Sequence, residues 1–171
     1  LHGILDNDND KNPFKDWNIA YIPYCTADFH IGDTVNTYTD SKNKSRKLYH
    51  YGRKNVSAAL AYIFETFHKP SKIFITGESA GGFGNIFWTP AIVKHYGKTQ
   101  AYQLSDCSLL NAPIWPGAAQ LWNARTDSVF GFEIKENIVP DALLNTARLL
   151  KGYDITFLQS FSLYDDVLVK F

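Results

Sequence analysis

The sequence predicts an α/β fold in which a mainly parallel sheet carries helices on both faces. Three observations point that way. Short apolar runs suited to buried strands occur at residues 19–25 (IAYIPYC), 72–76 (KIFIT) and 154–161 (DITFLQSF). Longer segments with apolar residues at helical spacing alternate with them. The chain has 171 residues, 45% of them hydrophobic, which suffices for one domain with a sizeable core.

Residues 19–25 open the series as an aromatic, apolar strand. Residues 26–47 are polar, rich in Asp, Asn, Thr and Lys, and are expected to form an exposed loop. Over 54–68, Val56, Leu60, Ile63, Phe64 and Phe67 fall on a helical stripe that Pro70 terminates. The strand 72–76 leads into a helix over 80–96, where Pro90 is a candidate kink. Residues 100–106 form a third strand, and 108–139, rich in Pro, Trp and Asn, a long loop. A helix over 140–150 starts with Pro140 in its first turn. The strand 154–161 closes the series.

Composition excludes several functions. Lysine plus arginine and aspartate plus glutamate stand at 17 each, so no global charge favours nucleic acid or an acidic membrane. No apolar run reaches the roughly 20 residues of a membrane helix. Leu1 to Asp10 lacks the basic cap and apolar stretch of a signal peptide. There is no methionine, even at position 1, and the sequence begins and stops abruptly. The expectation is a portion of a longer protein.

Gly77-Glu78-Ser79-Ala80-Gly81 is the motif that carries chemistry. It fits Gly-x-Ser-x-Gly and sits directly between a strand and a helix, the context of a nucleophile elbow. The sharp turn strains the serine backbone and leaves no room for side chains at the flanking positions. It lifts the Ser79 hydroxyl above the sheet and points the Ala80 amide at the place where an oxyanion forms. An anion-binding, glycine-rich helix start is the alternative reading of these letters.

A serine nucleophile needs a base and an orienting acid, in this fold class in the chain order Ser, acid, His. Asp165 and Asp166 follow the last strand, and Asp165 fits the acid; a helix-capping aspartate is its alternative role. The histidines are His2, His30, His50, His68 and His95, none of them after Asp165. His30 follows the first strand and is a candidate pocket residue; the base itself is missing from these residues.

Several blocks together resemble the pectin acetylesterase/Notum family. They are Asn12-Pro13-Phe14 with Trp17-Asn18, Tyr21-Ile22-Pro23-Tyr24-Cys25-Thr26-Ala27-Asp28, His30-Ile31-Gly32-Asp33, Gly52-Arg53-Lys54-Asn55-Val56 and Thr76 to Gly84. The resemblance extends from Gly3-Ile4-Leu5 to the Asp165 region. It implies an α/β-hydrolase-like three-layer sandwich, incomplete in this chain, with residues 1–171 as part of one catalytic domain. It also implies a secreted or periplasmic carboxylesterase that uses no metal or other cofactor. It carries the nucleophile onto Ser79, an oxyanion donor onto Ala80 and the acid onto Asp165, since Tyr164-Asp165 resembles the family's aromatic-Asp pair. Leu168 replaces a common glutamine there, and Asp106-Cys107-Ser108 departs from the usual Asp-Ser-Gly. A glycine-rich strand supplying the second oxyanion donor should precede Leu1 and lie between 19–25 and 72–76, and the catalytic histidine should follow Phe171. That strand order sets Cys25 and Cys107 roughly 14 Å apart, beyond disulfide reach, which predicts two free thiols.

Other residues read more plainly. Trp88, Trp115, Trp122 and Phe83 suit core packing, with Trp115 the best placed to line a substrate pocket. Lys42, Lys44, Arg46 and Lys47 are a solvated loop cluster, and Asp28 with Asp33 lacks calcium-ligand spacing. The expected function is hydrolysis of acyl esters, acetyl on a polysaccharide such as pectin, through an acyl-enzyme on Ser79. The alternative is a catalytically inactive carbohydrate-binding or structural domain on the same scaffold.

Overall fold

The computed structural model describes residues 3–110 and 112–170. Its elements are β1 (Thr34–Thr39), β2 (Ser45–His50), α1 (Gly52–Thr66), β3 (Lys72–Glu78), α2 (Ala80–Tyr96), β4 (Gln100–Asp106), α3 (Trp115–Leu121), α4 (Thr126–Phe130), α5 (Ile138–Leu149) and β5 (Ile155–Ser160). Strands β3, β4 and β5 form a parallel sheet in that order, with Glu78 opposite Asp106 and Asp106 opposite Ser160. The mixed α/β architecture is that of an incomplete α/β-hydrolase-like fold.

Three expectations need correction. Residues 19–25 are not a strand. A strand needs ladder partners; this segment has none among the described residues, and Ile19, Tyr21 and Tyr24 are exposed. Residues 26–47 are not all loop, because β1 and the first half of β2 lie within them as an antiparallel hairpin. In Thr34–Thr39 half-buried and exposed positions alternate, the period of a strand with one covered face. Asp40 closes its turn by accepting from the Lys42 and Lys44 amides, with Asn43 in the left-handed region at φ 59°. Finally, residues 108–139 contain the short helices α3 and α4 and the first residues of α5.

Helix α2 is the organising element. It is apolar on nearly every side, which suits a helix enclosed by other elements, and Phe83, Ile86, Phe87 and Val93 are almost inaccessible. Ile73 and Ile75 of β3, Ala101 of β4 and Ile155 and Phe157 of β5 pack with Val93 and Leu150 on one face of the sheet. Phe83, Ile86 and Phe87 join Trp115, Phe130, Phe132 and Ile138 on the far side of α2. On the opposite sheet face, Phe14 stacks on Phe74 at 4.7 Å. Pro90 does not interrupt α2. Proline has no N–H for the carbonyl of Ile86 four residues earlier, and the Thr146 hydroxyl of α5 donates to that oxygen instead, at 3.0 Å. Both cysteines are free thiols.

Candidate active site

The parallel sheet sets three chain segments side by side at the C-terminal ends of its strands. Ser79 follows β3, Asp106-Cys107-Ser108 closes β4, and Asp165 follows β5. With β4 between them, the exits of β3 and β5 are two strand spacings apart, about 9.5 Å.

Ser79 has φ 50° and ψ −118°, a conformation that side chains other than glycine rarely adopt. Its neighbours explain how the turn closes. A Cβ on Gly77 would overlap the backbone of Gly81 and Gly82, and one on Gly82 would overlap Ser108. Gly81, the motif's last glycine, has open space where a Cβ would go, so the steric demand falls on Gly77 and Gly82. The Ser79 amide donates to the Asp106 carbonyl at 2.9 Å, and its own carbonyl accepts from Gly82 and Phe83 at 2.9 and 3.1 Å. The Ser79 side chain makes no capping bond and the residue is exposed. Among the described residues the Ala80 amide has no acceptor, and it stands at the positive end of α2.

Buried polar side chains pin α2 to β4 beneath the turn. The Ser105 hydroxyl donates to Gly82 O at 2.8 Å, Asn85 Nδ2 to Leu104 O at 2.7 Å, and Gln103 Nε2 to Asn85 Oδ1 at 2.6 Å. Composition gave no hint of this network, although alternation of Gln103 and Ser105 with Tyr102 and Leu104 was visible.

Asp165 is half-buried and its Oδ1 accepts from the amides of Val167 and Leu168 at 3.0 and 2.8 Å, opening a short 3-10 turn. The capping bonds of its alternative role are therefore present, and they engage one carboxylate oxygen. Burial pushes the Cys107 thiol up, against a hydrogen bond with the backbone of Ser162; the charges of Asp106 and Asp165 raise it further.

His30 is buried against the first turns of α2, where a Cβ on Gly84 would stand 2.9 Å from its ring. Its carbonyl accepts from the Trp88 indole at 2.9 Å. Burial holds its pKa below the ordinary value, with partial opposition from the charge of Asp28. His50 is engaged at both ring nitrogens, 2.9 Å from Thr26 O and 2.8 Å from the Tyr38 hydroxyl. His95 stacks on Phe64 at the far end of α2, His68 is exposed, and His2 lies outside the described residues. Among the described residues, no histidine is hydrogen-bonded to Ser79 or Asp165. Trp115 is 5% exposed; its ring packs on Phe29 and Phe83, and its indole donates to Leu110 O.

Sequence reading missed the role of Asp28. This carboxylate is fully buried, yet every bond it makes is to a neutral donor: the Thr26 hydroxyl at 2.6 Å, the His30 amide at 3.1 Å and the Gly52 amide at 2.8 Å. Gly52 is the first residue of α1, so the anion sits at the helix's positive end. Side chains at Gly32 or Gly52 would occupy the carboxylate's place. The Thr-x-Asp spacing, followed by these glycines, was the available signal. Nearby, Asp33 pairs with Arg53 and Lys54, and the Arg53 hydrogen bond holds its carboxyl below the usual range.

Two surface depressions are lined by Ala112, Pro113, Pro116, Lys135, Glu136 and Asn137, and by Leu5, Asn7, Ile19 and Tyr21. Neither includes Ser79 or Asp165; the exposed serine at a parallel sheet's C-terminal edge is the chemically informative feature. Among the described residues, no three metal-ligating side chains converge, and no helix is long and apolar enough to cross a membrane.

Comparison with known proteins points to one family. The pectinacetylesterase family matches residues 1–112. A palmitoleoyl-protein carboxylesterase NOTUM from Schmidtea mediterranea is 33% identical over 87 residues, covering 49% of this chain. The matched region spans only 15% of that relative. No solved structure matches the chain significantly.

Proposed function

The chain belongs to the pectinacetylesterase family, and on that premise we propose that it forms part of the catalytic domain of a serine carboxylesterase. The observation that carries the reading is the backbone of Ser79. A strained serine between a parallel strand and a buried helix, with its hydroxyl uncommitted, is the geometry a nucleophile elbow requires.

In this reading Ser79 Oγ attacks an ester carbonyl, and the Ala80 amide donates to the oxyanion that forms. The tetrahedral intermediate collapses with loss of the alcohol, and water then releases the acid from the acyl-serine. A histidine from elsewhere in the natural protein takes the serine proton and returns it to the leaving alcohol. Asp165 orients that imidazole. The two strand spacings between the β3 and β5 exits support this role, because an imidazole must fit between serine and carboxylate. His30 lines the pocket, and Trp115 backs its wall through Phe29 and Phe83.

The substrate class is an acyl ester, with acetyl groups on a polysaccharide such as pectin as the leading case. The family supports this choice, and with it a secreted or periplasmic location. The test measures acid release by the natural protein from acetylated pectin, p-nitrophenyl acetate and a p-nitrophenyl ester of a long-chain acid. Turnover of the acetyl substrates is expected. No turnover of any ester would overturn the reading in favour of a non-catalytic carbohydrate-binding domain.

A further inference from the structure

We propose that Ser108 is a positioning residue for the oxyanion donor, acting by gripping the peptide between Ser79 and Ala80. The proposal rests on the reading of Ser79 as nucleophile and Ala80 as donor.

Ser108 is 2% exposed, and its hydroxyl oxygen lies 2.8 Å from both the Ser79 and the Asp106 carbonyl oxygens. Its single proton is therefore shared between them. The Asp106 carbonyl also accepts the Ser79 amide, so both backbone groups of Ser79 are tied to residues 106–108. Cys107, at φ 48°, makes the turn that brings Ser108 beneath α2, and its amide donates to Ser160 O at 2.7 Å. Gly82 is what leaves space for the hydroxyl, since a Cβ there would overlap Ser108 Oγ.

The consequence follows from peptide planarity. The carbonyl of Ser79 and the amide N–H of Ala80 share one rigid plane, so a group that fixes the carbonyl also fixes the direction of the N–H. Hydrogen bonds to an oxyanion depend steeply on aim and form fully only in the transition state. Loosening the plane should therefore lower kcat and leave substrate binding alone.

The experiment compares Ser108→Ala, Thr146→Ala and Ser79→Ala with wild type in the whole natural protein. Kinetics are normalised by active-site titration with a fluorophosphonate, so that only competent sites count. Thr146 serves as the structural comparator, because its fully buried hydroxyl holds Ile86 O deeper in α2 and makes no bond to the Ser79 turn. For Ser108→Ala, kcat per titrated site should fall about tenfold with KM within twofold, whereas Thr146→Ala should lower the melting temperature and leave kcat per site near wild type. A wild-type kcat per site in Ser108→Ala, or the same kinetic change in both variants, would overturn the positioning role while leaving the nucleophile in place. A Ser79→Ala protein as active as wild type would overturn the nucleophile reading and this proposal with it.

Discussion

The exits of β3 and β5 are built in opposite ways. After β3, Ser79 has both backbone groups bonded, two flanking glycines in close contact with neighbouring atoms, and a buried Ser-Gln-Asn network beneath it. After β5, Asp165 is held by its own short turn, while Leu163, Tyr164, Val167 and Val169 around it are 61–90% exposed. Such apolar exposure marks a surface with few packing partners among the described residues. The difference separates two ways of placing a functional group. Ser79 is held in a strained geometry by residues 106–108 together with the first turn of its own helix, whereas among the described residues the Asp165 carboxylate makes only sequence-local hydrogen bonds.

The largest effect expected from breaking this comparison is at the tightly built end. Ser79→Ala should lower esterase turnover by at least about 10⁴-fold, with circular dichroism and melting temperature close to wild type. Asp165→Asn probes the other end. Asparagine keeps the oxygen that caps the turn but loses the charge, so the melting temperature should hold while turnover falls by about 10²–10⁴-fold. A change in stability without loss of turnover would leave Asp165 with its capping role alone.

The glycines sharpen the contrast on a smaller scale. Gly77→Ala should destabilise by about 1–3 kcal/mol or more in denaturant melts, because its Cβ meets backbone that cannot swing aside. Gly81→Ala meets nothing and lies inside α2, so it should be neutral or stabilise by up to about 1 kcal/mol. The reverse order would contradict the steric account of the elbow.

The smallest effect expected is pH-dependent and lies at His30. Burial favours its neutral form in the folded state, whereas the unfolded chain takes up the proton near pH 6.5. The unfolded state then binds more protons, so stability should decline as pH falls below about 6.5. The melting temperature of wild type should show that decline between pH 7 and 5, and His30→Asn should flatten it. An equal slope in both proteins would remove His30 as its source.

Much of the fold was legible because local signals agreed with tertiary demands. The KIFIT run, the Gly-x-Ser-x-Gly turn and the apolar 80–96 segment all point to strand, elbow and helix, and β3 and α2 take those places. Residues 19–25 misled because strand propensity says nothing about whether a ladder partner stands beside the segment. Residues 26–47 misled in the opposite sense, since their polar composition hid an alternating Thr-Val-Asn-Thr-Tyr-Thr strand. At the site, Ser79 could be read from spacing. The supports from Ser108, Gln103 and Asn85 could not, because they meet only when β4 lies beside β3. Asp28 was visible as a letter, but one of its three buried partners is a glycine 24 residues away.

Intact-mass analysis of the natural protein before and after a fluorophosphonate probe tests the central claim most directly. The account predicts a single adduct, mapped by peptide sequencing to Ser79 and absent from Ser79→Ala. An unlabelled, folded wild-type protein, or an adduct on any other residue, would contradict it.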